Sequence, residues 1–358
     1  MLKKATALLL VGLSAATWTG CTTTSSHYVF AAIPANNTIA VYREDPNSGI
    51  LTVLLNSPFA AGKAPEAVLL HPSGKYLYVA NSGEDDISLF SIAPSTGILT
   101  EVSRTSITNG LTPLYMALDA TGGFLYVVNV LSAPSSNLSV FQVASDGTLT
   151  PTNGGYPLGV TATSMALAPS GNFIFIGSVL GQVAVYPLSG GVPGAPVGAF
   201  TTSVGTIPTG LVVDSKGANL YATNGNGGNS ISQFSIGAGG VLMQVAGSPL
   251  GEPSGVTSPV SLIIDPSGKY LYVANQGTNN LGAYSIGSDG GLTILTLSPF
   301  STVKQPTSLA ADPNGKYLLV GGQSGSLEVF LLNSGNGTLG EVASYSPGAF
   351  PSSIAVMQ

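Results

Sequence analysis

Glu66, Lys63 and Lys304 are the residues whose types and positions best suit bond-making chemistry in this chain. A carboxylate can take a proton from attacking water, and an ammonium can stabilise the oxyanion that forms when water adds to a lactone or ester carbonyl. All three sit on segments that lead into short apolar runs opening with proline, at Pro65-Glu66-Ala67 and at Gln305-Pro306. Arg104 lies further back, at the end of a fourth strand. Histidine chemistry has little material, because His27 and His71 are the only two. His71 opens a His-Pro-Ser-Gly turn, in a place held elsewhere by Asp119, Ala168, Asp214, Asp265 and Asp312, which points to a side chain that caps its own turn. His27 is expected at the surface, just before the first strand. Glu84-Asp85-Asp86 is the densest charge cluster, but it lacks the spaced Asp/Asn pattern of a calcium loop and reads as a solvated acidic loop. There is no GxSxG elbow, phosphate loop or metal-spaced histidine cluster. A single cysteine excludes a disulfide framework and a multi-cysteine zinc site. No cofactor or metal is expected.

The elements that must position these residues are strands, and they come in a repeat. Six segments share one pattern: His71-Pro-Ser-Gly-Lys-Tyr-Leu-Tyr-Val, and the equivalents that begin at Asp119, Ala168, Asp214, Asp265 and Asp312. Their starts are 48, 49, 46, 51 and 47 residues apart. In the period that begins at Pro65, Ala67 to Leu70 suits a buried inner strand. The turn at residues 71–74 follows, with Pro fixing φ and Gly free to take φ > 0. Tyr76 to Ala80 and Ile87 to Ile92 read as the second and third strands, and Ile98 to Val102 as a more exposed fourth. Four antiparallel strands every 45–50 residues predict a propeller blade.

The chain ends set the blade count. Tyr28–Ala32, Thr38–Tyr42 and Leu51–Leu55 make three strands without an inner one, and Pro351 to Met357 repeats the inner-strand pattern and stops. One blade split between the termini gives an all-β, seven-bladed propeller over residues 28–358, with Ser353–Met357 pairing beside Tyr28–Ala32. Such closure removes the open edge that the alternative, a frayed solenoid, would keep.

Composition bounds the rest. Charged residues make up 7% of the chain and the net charge is −6, becoming −8 once Lys3 and Lys4 are removed. So few cations exclude a phosphate-tracking surface, and no nucleic-acid partner is expected. The only long apolar run is at the N-terminus. Lys3 and Lys4, the apolar stretch Ala5 to Leu13, and small residues up to Thr19-Gly20-Cys21 make an export signal over residues 1–20, too short to span a membrane. The signal resembles that of bacterial lipoproteins, in which Cys21 would become the lipidated first residue of a tether over residues 21–27. Trp18 departs from that pattern, and cleavage nearby with Cys21 as a plain thiol is the other reading. Lipid would place a monomer at the cell envelope, facing the periplasm or the cell surface, with no membrane contact beyond its anchor.

Asn81, Asn129, Asn224 and Asn275 close the segments Tyr78-Val-Ala-Asn, Tyr126-Val-Val-Asn, Tyr221-Ala-Thr-Asn and Tyr272-Val-Ala-Asn. These repeats resemble two related groups of seven-bladed propellers, the lactonase family (6-phosphogluconolactonase and muconate-lactonizing enzymes) and surface-layer propellers named for a Tyr-Val-Thr-Asn motif. The resemblance covers essentially the whole mature chain. It implies a channel mouth lined near the inner strands by His, Arg and Glu. The inner strands here open with Pro65-Glu66-Ala67, Pro113-Leu114-Tyr115, Ala162-Thr163-Ser164, Pro208-Thr209-Gly210, Pro259-Val260-Ser261, Pro306-Thr307-Ser308 and Pro351-Ser352-Ser353, with Glu66 the only charge.

Two functions follow as expectations. One is an exported module that binds a small molecule, a glycan or an envelope protein; the other is a lactonase-like hydrolase using Glu66 with Lys63 or Lys304. Any ligand is expected on the face built by the 81–86 and 275–280 loops and the connections 56–65 and 300–306. Tyr115 is a candidate contact there. The four repeated asparagines suit a structural role at the strand ends, and a ring of ligand-binding amides is the alternative.

Overall fold

A computed structural model describes residues 27–108, 110–130, 137–152, 155–202, 206–302 and 305–357. Seven antiparallel sheets follow one another around a ring. Blade 1 is the split one. Its inner strand, Ser353–Met357, pairs with His27–Ile33, bringing Met357 opposite Tyr28 and Ser353 opposite Ala32. Thr38–Glu44 and the outer segments Leu51–Val53 and Phe59–Ala60 complete it. Blades 2 to 7 begin with the inner strands Pro65–Leu70, Pro113–Leu118, Ala162–Leu167, Ile207–Val213, Pro259–Ile264 and Pro306–Ala311. No α-helix occurs among the described residues.

The outer strand differs from the expected single run. Blades 2 and 7 have continuous ones, Leu99–Ser106 and Leu339–Tyr345, whereas the other five break theirs into two pieces that pair with the same third strand. In three of these breaks a serine hydroxyl takes over a ladder position. Val41, Gln233 and Ala283 donate their N–H groups to the Oγ atoms of Ser57, Ser248 and Ser298 at 2.8–2.9 Å. A buried backbone donor thereby keeps a partner where the strand turns away.

The apolar core is divided into seven clusters, each lying between two neighbouring blades. Blades 7 and 1, for example, share Val29, Ala31, Tyr42, Tyr317, Leu319 and Ile354. Each sheet is therefore buried on both faces only because the ring closes, and the terminal strand pairing completes that closure.

The repeat motif supplies polar ties between blades. Tyr78, Tyr126, Tyr221 and Tyr272 are almost wholly buried. Their hydroxyls donate to Gly147, Gly191, Gly290 and Gly337 carbonyls in the next blade's turn between third and fourth strands, at 2.8–3.1 Å. A ring also seats on that turn's glycine: Tyr28 on Gly97, Tyr76 on Gly147, Phe124 on Gly191, Phe173 on Gly240, Tyr270 on Gly337 and Tyr317 on Gly49. A Cβ on any of these glycines would lie less than 3 Å from the ring, so only glycine lets the blades approach this closely.

On the same face, the first residue of the strand-joining turn caps it as expected wherever its side chain can, at His71, Asp119, Asp214, Asp265 and Asp312 but not at Ala168. Asp265 Oδ1 accepts from the N–H groups of Lys269 and Tyr270, and Asp312 Oδ1 from those of Lys316 and Tyr317. His71 does the same work with its ring: Nδ1 accepts from Ser73 N–H at 3.1 Å, and Nε2 lies 3.2 Å from Gly122 O in blade 3.

His27 departs from expectation. It is the first residue of its strand and is buried, not at the surface. Its Nδ1 lies 3.4 Å from Glu44 Oε2 and 3.8 Å from Asp312 Oδ2, and its Nε2 lies 3.1 Å from Asn314 Nδ2. Glu44 stands opposite it in the adjacent strand, but Asp312 and Asn314 come from the far end of the chain, brought in by ring closure, and the sequence hides them.

Candidate functional site: the funnel at the inner-strand starts

The inner strands start alike on the funnel face. Ala64, Thr112, Ser258 and Gln305 precede the opening prolines and take φ of 49–58°. That uncommon conformation is held from the previous blade: Asn37, Asp85, Asn229 and Asn279 accept their N–H groups on Oδ1 at 2.7–3.0 Å. The residue after the strand-opening proline, or after Ala162 in blade 4, then falls out of register as a β-bulge. Pairing skips Glu66, Leu114, Thr163, Thr209, Val260 and Thr307. A bulge twists the strand locally and re-aims the side chain it carries, here around the channel.

Hydroxyls on these starts tie the inner strands to one another. Thr163 and Ser164 donate to Pro208 O at 2.6 and 2.9 Å, Thr209 to Pro259 O at 2.7 Å, Ser308 to Pro351 O at 3.1 Å, and Ser352 to Glu66 O at 2.9 Å. They form a partial hydrogen-bonded collar, joining four of the seven neighbouring pairs of inner strands among the described residues. Within it lies a cavity of about 220 Å3, lined by Tyr115, Met165, Thr209, Leu211, Ser261 and Thr307 among others.

Glu66 is half-buried, and burial pushes its carboxyl above the usual range. Burial, and then the Glu66 charge, raise the Tyr115 hydroxyl, so the two groups interact. A carboxylate and a phenol at neighbouring inner-strand starts can each meet a hydroxyl-bearing ligand, the carboxylate as proton acceptor and the phenol as hydrogen-bond donor to an oxyanion.

The other sequence candidates fall elsewhere. Lys63 is exposed and its Nζ lies 3.9 Å from Glu84 Oε1. Lys304 and Cys21 lie outside the described residues. Asn81, Asn129, Asn224 and Asn275 are wholly buried within their blades. Their amide nitrogens donate to the third strand: Asn81 to Asp86 and Ser88, Asn129 to Ser139, Asn224 to Ser230 and Ser232, and Asn275 to Asn280. They pin the end of each second strand instead of lining the funnel.

The acidic loop is likewise engaged by protein. Glu84 pairs with Arg104 at 2.7 Å, Asp85 accepts from Thr112 N–H, and Asp86 accepts from Asn81. Among the described residues no group of three His, Cys, Asp or Glu side chains is placed to hold a metal ion. The collar residues Thr163, Ser164, Thr209, Ser308 and Ser352 were missed as a set. Their signal was the small hydroxyl residue recurring after the strand-opening position.

Comparisons with known proteins agree with this architecture. A family model described as lactonase, 7-bladed β-propeller, matches residues 21–110, 104–202, 195–292 and 243–356. No curated protein matches the sequence. Among solved structures, the chain is similar to a candidate 6-phosphogluconolactonase of Bacteroides uniformis, at 20% identity and a TM-score of 0.81 over 93% of this chain and 100% of that one. It is also similar to the periplasmic gluconolactonase PpgL of Pseudomonas aeruginosa, at 20% identity and a TM-score of 0.80 over 93% of this chain and 99% of that one. Family match and fold together place the chain: it belongs to the lactonase family of seven-bladed β-propellers.

Proposed function

We propose that the protein is an exported, lipid-anchored binding propeller whose funnel takes a small, uncharged, hydroxyl-bearing ligand. The observation that carries this is the lining: the described inner-strand starts offer hydroxyls, apolar groups and one carboxylate, and no cation. Hydroxyls and a carboxylate recognise sugar-like donors, and a phosphorylated or carboxylated ligand would meet the Glu66 charge with no cation among the described inner-strand starts to offset it. Cys21 and the preceding signal support the export and anchoring.

The test uses the full-length protein with neutral sugar lactones, neutral sugars and phosphorylated sugar lactones, followed by thermal shift and by hydroxy-acid release. Stabilisation by the neutral ligands without hydrolysis supports the reading, and preference for the phosphorylated lactones overturns it. Cys21→Ser should release soluble protein or leave the signal uncut; unchanged membrane retention, with no acyl label on the wild type, overturns the anchoring.

A second reading, lactone hydrolysis, is favoured by Glu66 and Tyr115 at neighbouring inner-strand starts and by the family. The Glu66 carboxylate would take a proton from water as it attacks the lactone carbonyl. Tyr115 would donate a hydrogen bond to the resulting oxyanion, and the ring C–O bond would break as its oxygen gains a proton. Turnover that falls at least about 100-fold in Glu66→Gln, and is unchanged in His71→Ala, would install this reading in place of the first.

A further inference from the structure

On the face opposite the funnel, six of the seven blade interfaces seat an aromatic ring on a turn glycine. The interface between blades 5 and 6 does not. There Asn219 faces Gly290, which keeps the ring-accepting conformation with φ of 83°. The effect on shape is visible by comparison with the matching groove between blades 2 and 3. That groove, walled by Tyr76, holds about 210 Å3, whereas the groove walled by Asn219 holds about 360 Å3.

A second departure from the repeat falls in the same place. The third turn position is Ser73, Thr121, Ser170, Ser267 and Asn314 in five blades, and Lys216 in blade 5. Lys269 stands on the opposite wall. Neither ammonium has an ion-pair partner within 4 Å among the described residues. By contrast Lys316, at the seam of blades 7 and 1, donates to Pro46 O and Asn47 O at 3.1 and 2.7 Å.

The carboxylates around the groove are already engaged. Asp214 accepts from Ala218 N–H, Asn219 N–H and Asn219 Nδ2. Asp265 accepts from Lys269 N–H and Tyr270 N–H, and Asp289 from Gly291 N–H. Lys216, Lys269, Ser215 and Ser288 thus line the groove beside carboxylates whose oxygens already accept hydrogen bonds from the protein, in a space enlarged by a missing ring.

We propose that the groove between blades 5 and 6 is a second binding site, separate from the funnel, for a carboxylate-bearing sugar ring such as the uronate unit of an acidic glycan. The ring takes the room that an aromatic side chain takes elsewhere, the carboxylate lies between Lys216 and Lys269, and ring hydroxyls meet Ser215 and Ser288. An aromatic carboxylate would match the room and the charge but leave the hydroxyls unanswered, and a neutral hexose would leave the ammoniums unanswered.

The experiment is calorimetric titration of the full-length protein in detergent micelles with glucuronate, glucose and benzoate at low salt. Glucuronate should bind at least about tenfold more tightly than either of the others, and salt should weaken it. Asn219→Tyr, which restores the ring, should abolish binding, and Lys216→Ser, the residue the repeat prefers, should weaken it about tenfold. Glu66→Gln should leave it unchanged. No glucuronate binding up to about 10 mM overturns the site, as does binding that survives both Asn219→Tyr and Lys216→Ser. Glucose or benzoate that binds as tightly, and whose binding is lost in Asn219→Tyr and so belongs to this groove and not to the funnel, overturns the ligand class. Should Asn219→Tyr fail to fold, Lys216→Ser and Lys269→Ala decide on their own, and unchanged affinity in both overturns the proposal.

Discussion

On the turn face, Asp265 and Asp312 close their own turns, tyrosine hydroxyls reach the next blade, and rings seat on glycines. On the funnel face the strand starts bulge, and left-handed residues before the prolines are held by side chains of the previous blade. The first face repeats with few exceptions, so a change there should cost stability at a known place. The second uses a constant backbone device to present variable side chains, Glu66 and Leu114 beside Thr163 and Thr209. A repeat thus keeps its stability and its variability on opposite ends of the same strands, and a site shows either as variation on the funnel face or as an exception on the turn face.

The sharpest way to break that comparison is at the seam both faces share. Deleting residues 351–358 removes the strand paired with His27–Ile33, together with the buried Ile354 and Met357. An unpaired edge and a slot through two core clusters should lower Tm by more than about 10 °C or prevent soluble recovery. A truncated chain that melts like the parent would show that closure does not hold the ring.

Next in size is Gly97→Ala. Gly97 has φ of 68°, and a Cβ there would lie 2.3 Å from the Tyr28 ring. Left-handed strain and overpacking together should cost about 2–4 kcal/mol. Gly290→Ala carries the same backbone strain but meets the Asn219 side chain, whose end can move, so its cost should be smaller. Chemical denaturation of the pair measures the difference, and equal losses would mean that the rings are not what makes the turn face rigid.

The cluster at the seam predicts a pH dependence of similar rank. Burial first, and then the charges of Asp312 and Asp45, push the Glu44 carboxyl up to about 8 against Lys316. The folded state therefore holds that proton more tightly than the unfolded chain, and the stability this contributes is full below pH 4.5 and lost as pH rises to about 8. Glu252, raised to about 7 by burial against its hydrogen bond from Tyr284, acts in the same direction. His27 acts oppositely: burial lowers it, against the Asp312 charge, so stability falls as pH drops below 6.5 and the unfolded histidine gains a proton. Tm should peak near pH 6 and decline by pH 8.5, and Glu44→Gln should flatten the alkaline decline. A wild-type Tm that rises between pH 6.5 and 8.5 would contradict the sign.

Much of this architecture was legible because repeat spacing reports strand order directly, and the complementary chain ends report closure. The turn-capping role of Asp119 and its equivalents was legible for the same reason, since identical chemistry recurred at one position. Features that depend on two distant segments were not. His27 meets Asp312 only through ring closure, and the bulge at Glu66 shows only in the pairing register. Glu66 and Tyr115 were each visible as side chains at inner-strand starts, yet their interaction needed the neighbouring blade. The asparagines that end the second strands looked alike for ligand binding or strand anchoring until their burial was known.

The smallest effect tests the tie that the repeat motif makes most often. Tyr272 donates its hydroxyl to Gly337 O at 2.9 Å, and Tyr272→Phe leaves that carbonyl without this donor while keeping the ring. One such bond should be worth about 0.5–1.5 kcal/mol. The chain itself bounds the figure, because Phe175 and Leu319 occupy the same strand position in blades 4 and 7 and the ring still closes. Urea denaturation should show a shifted midpoint with an unchanged slope, since the same surface is exposed on unfolding. Tyr78→Phe sits at a different blade interface, so the double variant should lose the sum of the two. A loss well beyond that sum would mean that the blades read one another's hydrogen bonds around the ring, and the turn face would then act as one cooperative band instead of seven independent ties.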